Sequence, residues 1–449
     1  MMGRQVEQAT LFYEFSLERH VPSDHLLRSI DRFVELGAVR SELAAFYSQL
    51  GRPSIDPELI IRMLLVGYCF GIRSERRLCE EVHLNLAYRW FCRLGLNGEV
   101  PDHSTFSKNR HGRFRQSDLL RRVFEAVLRR CIDEGLVGGE NFAVDASLIK
   151  ADANRQNGIE GEKGLPRQAT TRAVREYLAV LDDAAFGAAT EVTPKFISPA
   201  DPAARWTGAH GGQAFFAYAT NYLIDTDHAI IVDVEATTAI RQAEVLAAKR
   251  MIVRTTESLA LQPRRLLGDS AYGSAEMLGW LVSERGIDPH VTVLDKSTRH
   301  DGTFSREDFH YDPECDAYLC PGGKTLTTTG TRVNDDATVL YRASKADCRT
   351  CTLKSQCCPS TPIRRVPRSI HEGAREMARA IAKSWEGRVS RRLRKKVEML
   401  FAHLKRILKL DRLRLRGPTG ARDEFLLAAT AQNLRKLAKL VPIPGLKPA

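Results

Sequence analysis

Several things are missing from this 449-residue sequence. Its opening stretch, MMGRQVEQATLFYEF, has no apolar h-region and no small-residue cleavage site, so secretion is not expected. No apolar run reaches the about 20 residues that a membrane-spanning helix needs. The longest, Ile60 to Ile72, contains Arg62 and reads as a buried helix. There is no internal repeat and no low-complexity tract, which argues against a repeat array and against wholesale disorder. With secretion not expected, the ten cysteines are read as reduced thiols or metal ligands rather than disulfides.

The composition is that of a globular chain, 43% hydrophobic and 27% charged, and long enough for two or three domains. Its balance is basic: 67 Lys+Arg against 55 Asp+Glu give a net charge of +12. Such a surplus favours polyanionic partners, since each neutralised phosphate releases condensed counterions. Many basic proteins share it, so charge alone leaves nucleic acid as one option among several.

Residues 1–135 read as a helical amino-terminal domain. Asp56-Pro57 is a helix entrance, with Asp56 as N-cap and Pro57 at the first helical position. Ser74 opens a second helix. A third starts near Pro101, capped by Ser104 or Thr105, and carries Lys108, Arg110 and Arg113. A capped basic helix after two apolar ones suits a DNA-reading helix, with Lys108 and Arg110 as candidate contacts. A helical bundle with a solvated basic face fits the same stretch.

From Asn141 the pattern turns to β. Residues 136–296 read as the first part of an α/β domain around a mixed sheet, with a polar linker or insertion at about 151–210. The expected order is the strand Phe142 to Ile149, a hairpin about Asp225-Thr-Asp227-His, the helix Arg241 to Leu259, the strand Arg265 to Asp269, a helix, and a strand from His290. A cysteine-bearing segment follows at 297–385. Two helices at 386–441 complete the domain, and the tail from Pro442 is expected to fray.

Three acids stand out. An acid within an apolar strand is costly to bury unless it pairs, protonates or binds a cation. Asp145, in Phe-Ala-Val-Asp-Ala, and Asp269, in Leu-Leu-Gly-Asp-Ser, both show this setting. The third, Glu398, lies on a basic amphipathic helix. At about 100° per residue, Glu398 falls about 40° from Arg394, Lys405 about 20° and Arg391 about 60°, clear of an apolar stripe through Leu393, Val397, Leu400, Phe401, Leu404 and Leu408. An exposed face of i,i+4 ion pairs gives the same wheel. Phosphodiester chemistry would use all three acids, because divalent ions held by carboxylates serve both ends of an in-line displacement.

Together these residues resemble the bacterial insertion-sequence transposases of the DDE class. The family's signature around its glutamate is Tyr-(2)-Arg-(3)-Glu-(6)-Lys. Here Arg394, Glu398 and Lys405 match it, while Arg391 stands at the tyrosine position. The stretch from Arg52-Pro53 to Phe106-Ser-Lys-Asn-Arg110 is similar to that family's amino-terminal domain. Leu413-Arg-Leu-Arg-Gly417 and the helix after it resemble its carboxyl end, so the likeness covers most of residues 20 to 440.

The resemblance implies a ribonuclease-H-like catalytic domain, with an insertion between the second Asp and the Glu. It implies Mg²⁺ (or Mn²⁺) held by Asp145, Asp269 and Glu398, and DNA contacts from Arg391, Arg394 and Lys405. It also implies cleavage at terminal inverted repeats, strand transfer to target DNA, a homodimer on DNA and a cytoplasmic, nucleoid-associated location. A DNA-binding protein without chemistry and a nuclease without strand joining are the alternatives.

Cys320, Cys348, Cys351 and Cys357, with Cys315 and Cys358 flanking, are compatible with a structural zinc ribbon and equally with a metal-free thiol cluster. Cys69, Cys79, Cys92 and Cys131 are read as core. Asp152 is polar and loop-like, Asp225 and Asp227 are turn residues, and Asp233 lies in a strand without a cation stripe. Tyr272 suits either a DNA groove or the core.

Overall fold

A computed structural model of the chain describes residues 15–48, 50, 54–165, 171–180, 193–208, 212–294 and 299–443. Arg52, Pro53, parts of the polar stretch and the tail beyond residue 443 lie outside them. The contacts divide the chain into two compact units. The first comprises Met1–Gly138, Ala146–Ala260 and Lys396–Ala449, and the second Gly139–Asp145 and Leu261–Lys395.

The first unit begins with helices that the sequence announces. In α1 (Pro57–Cys69) the Asp56 carboxylate accepts the Glu58 N–H at 3.0 Å, and every residue from Ile60 to Cys69 is buried. Arg62 survives there because its guanidinium is held by Glu58 at 2.9 Å and Asp31 at 2.8 Å. Ser74 caps α2 (Glu75–Leu84). The cap of α3 (Ser104–Asn109) differs from expectation: neither Ser104 nor Thr105 serves, and Asp102 accepts the Ser104 N–H at 2.8 Å instead. In α4 (Leu119–Asp133) an apolar stripe from Leu119 to Cys131 is buried.

Strand β1 (Asn141–Lys150) contributes its residues from Ala146 onward to this unit. Beside it run β2 (Arg205–Thr207) and β3 (Phe215–Asp225), and β3 pairs antiparallel with β4 (Ile230–Thr238) as the expected hairpin. Asp225 is buried at its turn, where it accepts the Asp227 and Gly138 N–H groups. The β3–β4 register jumps between Leu223 and Ile224. Near the jump, the side chain of Asn433 accepts the Ile231 N–H and donates to the Ile231 carbonyl. After α5 (Arg241–Leu259), two helices return to this unit: the second half of α6 (Trp385–Arg406) and α7 (Gly417–Leu440). Buried along most of its length, α7 packs on β4, α4 and α1.

The described parts of the polar stretch at 151–210 hold more regular structure than expected. They include a helix, Arg172–Ala179, and a pairing of Ile159–Glu160 with Phe196–Ile197. The helix buries Ala173 and Val174 together with an acid. Glu176 is buried and takes Arg115 at 2.7 Å and Arg172 at 2.8 Å, and local periodicity cannot reveal the first of these partners.

Buried acids in this unit carry a pH signature. Burial lifts the Asp423 carboxyl from 3.8 to about 7, against the pull of Arg110 and Arg422. Burial also lifts Asp201 to about 6, although the Tyr218 hydroxyl donates to it at 2.5 Å. Between those values and 3.8 the folded chain holds protons that the unfolded chain has lost. The stability these two acids contribute therefore falls as pH rises from about 4 through about 7. Asp423→Asn is expected to flatten that fall, as read from urea midpoints across the window.

In the second unit the start of β1 lies parallel to β5 (Arg265–Gly268), which lies parallel to β6 (Asp288–Val291). The helix Glu372–Lys383 packs against β6 and the helix Ala275–Gly279. A Cβ on Gly279 would stand 2.1 Å from the His371 ring, so glycine permits that approach. Glu372 is buried and gathers Arg306, Arg375 and Arg379 within 2.9 Å.

A separate antiparallel sheet occupies residues 310–369: β7 (His310–Asp312), β8 (Ala317–Leu319), β9 (Thr325–Thr327), β10 (Arg332–Val333), β11 (Thr338–Ala343) and β12 (Arg365–Ser369). Its order is β10-β11-β9-β8-β7, with β12 also paired to β11. Among the described residues, no helix is long and apolar enough to cross a membrane.

Candidate active site

Two of the three expected acids meet through strand register. The parallel ladder sets Asn141 opposite Arg265, Phe142 opposite Leu266 and Ala143 opposite Leu267. Continued two residues further, it sets Asp145 opposite Asp269. Alternation turns Phe142 and Val144 to one face, and Ala143 and Asp145 to the other. A Cβ built on Gly268 would lie 3.4 Å from a Val144 methyl, which places these two residues side by side on the opposite face. Adjacent strands lie about 4.8 Å apart, so this extended register sets the two residues' backbones about one strand spacing apart. Both aspartates are half-buried, where the preceding residues of each strand are buried.

The chain around Asp269 is shaped by close approaches. Asp269 ends the strand and caps a short turn, Ser270–Tyr272, by accepting the Ala271 N–H at 2.8 Å. Gly273 then runs against the backbone after β6. Its carbonyl accepts the Leu294 N–H at 2.9 Å, and a Cβ there would fall 2.0 Å from the Thr292 oxygen. Gly268 is hemmed by Tyr272, Val291 and Val144 at 3.2 to 3.4 Å. The glycines of Gly-Asp-Ser-Ala-Tyr-Gly are thus packing requirements of the turn that presents the acid. Tyr272 is 2% exposed and belongs to the core, not to an open groove.

Glu398 lies on the part of α6 that belongs to the first unit and is exposed. The apolar stripe largely behaves as the wheel predicts: Val397, Leu400, Leu404 and Leu408 are buried, Leu393 is half-buried, and the Phe401 ring packs at a tilt on Tyr222, centroids 5.6 Å apart. Among the described residues, Glu398 and Arg394 form no ion pair, so the i,i+4 pairing that the spacing allows is not made. Lys405 is half-buried, and burial lowers its ammonium pKa. Arg391 is exposed and donates to the Ala382 carbonyl at 2.9 Å.

The amino-terminal candidates separate. Lys108 is exposed. Arg110, expected to face DNA, is only 4% exposed and its guanidinium is taken by Glu75, so it serves as an internal strut. Asp152 is held by Arg412 at 3.1 Å and Arg416 at 2.9 Å. Asp233 has cations after all, from α4 and α5: Arg121 at 2.6 Å and Arg254 at 2.7 Å. One feature was missed from sequence, a basic cleft of about 650 Å³ in the first unit lined by Lys396, His403, Arg435, Lys436 and Lys439. The spacing of Arg435, Lys436 and Lys439 on α7 was its signal.

Oxygen-donor carboxylates side by side on one sheet face suit a hard divalent cation, so Asp145 and Asp269 fit such an ion. Among the described residues, no group of three or more His, Cys, Asp or Glu side chains is gathered closely enough to hold a metal.

Comparison with known proteins supplies the family. Residues 15–112 match a family profile described as "Transposase domain (DUF772)", and residues 319–438 match one described as "Transposase DDE domain". The second match contains Glu398 and ends within α7. A solved structure, the cryo-EM structure of piggyBac transposase synaptic complex with hairpin DNA, is 10% identical over 95% of this chain and 81% of that one. Its TM-score of 0.31 is too low to relate the two residue by residue. Transposase sequence at both ends of the chain, in that order, places this protein among the DDE-type transposases.

Proposed function

We propose that this transposase binds the terminal inverted repeats of an insertion sequence, cuts them and joins the freed ends to target DNA, with Asp145, Asp269 and Glu398 as its catalytic acids. One observation supports the reading: the parallel register of the two strands, continued two residues past Ala143 and Leu267, sets Asp145 opposite Asp269, in a chain whose DDE match includes Glu398. The mixed strands and flanking helices are read as a ribonuclease-H-like domain, with the sheet β7 to β12 as its cysteine-bearing insert. A divalent ion, Mg²⁺ or Mn²⁺, held by these acids would supply Lewis-acid charge at the phosphate and lower the pKa of the attacking water or hydroxyl.

The chain's own residues do the rest. The three carboxylates would keep the ion site anionic, two of them placed by the run of the parallel strands. Arg394, Lys405 and Arg391 on α6, together with Lys108, are the proposed phosphate contacts, positioning the DNA backbone without reading its bases. The homodimer expected on DNA would bring two ends together.

The test is labelled terminal-repeat DNA incubated with protein and Mg²⁺. Cleavage followed by joining to a target supports transposition. Cleavage without joining points to a nuclease, and binding with intact DNA points to a DNA-binding protein. Arg394→Ala is expected to weaken binding to all duplex sequences alike and to reduce the salt slope by about one, as read by binding titrations at several salt concentrations.

A further inference from the structure

The sheet β7 to β12 has a small core. Its buried members are Phe309, Tyr318, Leu326, Tyr341, Ala343, Cys348, Cys357, Cys358 and Val366, with Cys320 packed against them. Three of those nine are cysteines, far more than packing alone calls for, and a core this small rarely holds a domain without a staple. None of the chain's ten cysteines is in a disulfide.

The thiols converge from three places. Cys320 sits in the turn after β8, where the Gly323 N–H donates to its carbonyl at 2.8 Å and the Lys324 N–H donates to its sulfur at 3.3 Å. A backbone amide aimed at sulfur suits a thiolate, as in a metal-binding turn. The Cys320 and Cys351 sulfurs both flank Gly322, 3.7 and 3.5 Å from where its Cβ would stand. Cys348, two positions before Thr350-Cys351, lies on the short helix Lys345–Arg349, and its thiol contacts that of Cys358, which also contacts Cys357. The five sulfurs form a pair and a trio on one core rather than a closed tetrad. As they stand these thiols are not gathered closely enough to hold a metal; binding one would draw the half-exposed Cys320 and Cys351 toward the trio.

We infer that this sheet carries a structural zinc site, with Cys320, Cys348 and Cys351 as three ligands and the Cys357–Cys358 pair supplying the fourth. Four thiolates around one Zn²⁺ make a closed tetrahedral site that contributes folding free energy and leaves no position for substrate. The ion is distinct from the one proposed at the catalytic acids. Its loss unfastens this sheet, and its presence does not depend on transposase activity.

The test uses the full chain purified under reducing conditions without chelator. Elemental analysis is expected to find about one zinc per chain. Cys320→Ser, Cys351→Ser and the double variant Cys357→Ser/Cys358→Ser are each expected to lose most of it, while Cys315→Ser and Cys69→Ser keep it. Because a ligand variant could unfold, the wild-type protein gives a second reading. Cobalt exchanged into it should show thiolate-to-metal charge-transfer absorption, and chelation should expose four further thiols to alkylation. Wild-type protein free of zinc, or with these thiols alkylated equally with and without chelator, overturns the inference.

Discussion

Asp269→Asn is expected to lower DNA cleavage at least about a thousandfold, roughly 4 kcal/mol of barrier, with DNA affinity and thermal stability nearly unchanged. The side chain keeps its shape, and an amide oxygen can still accept the Ala271 N–H that Asp269 Oδ1 accepts now. What goes is one negative charge from a site proposed to hold a divalent ion, and with it most of the charge stabilisation at the phosphate. The phosphate contacts proposed for α6 and Lys108 stay in place. Cleavage of labelled terminal-repeat DNA, scored beside a binding titration on the same preparation, measures both. Cleavage at the wild-type rate would remove Asp269 from the catalytic set, and a parallel loss of binding would mark it as structural.

Asp233→Asn is expected to do the reverse. Asp233 is 2% exposed, and its two oxygens receive Arg121 at 2.6 Å and Arg254 at 2.7 Å. Removing the charge leaves a nearly buried Arg121 without its counterion. Arg254 retains Glu235 at 3.2 Å and loses less. Breaking a buried pair in this way costs about 3 kcal/mol, a fall of roughly 5 °C in melting temperature for a unit of this size. Thermal melts of the variant and the parent provide the number. At a temperature where the variant is folded, its cleavage of DNA should match the parent's. A stable but inactive Asp233→Asn would instead make this acid a rival to Asp145.

The contrast between those two aspartates marks how far the sequence could be read. Both are acids in apolar strands, and the local pattern cannot tell them apart. Asp269 was distinguished by its Gly-Asp-Ser-Ala-Tyr-Gly setting, which the close packing of Gly268 and Gly273 now accounts for. Asp233 was recognisable as structural only once α4 and α5 delivered two arginines from distant parts of the chain. Arg110 is the same case with the sign reversed. It reads as a DNA contact on a basic helix until Glu75 claims it.

Elements with strong periodicity, such as the apolar α1, the β3–β4 hairpin and the α6 stripe, were legible because burial of one face fixes them locally. The helix Arg172–Ala179 was not, because its buried face is short and sets the carboxylate of Glu176 beside Ala173 and Val174. The basic cleft went unseen for a related reason: its cations come from two helices that neighbour one another only in the folded unit.

The pairing of Asp145 with Asp269 rests on phase rather than on distance along the chain. Everything between β6 and α6, the cysteine-bearing sheet included, could lengthen or shrink over evolutionary time without shifting one acid against the other. A single residue gained or lost between Asn141 and Asp145 would turn that acid to the opposite face of the strand and out of the site. Relatives of this protein should therefore vary freely in the spacing that follows the second acid and hardly at all within the few residues that precede the first.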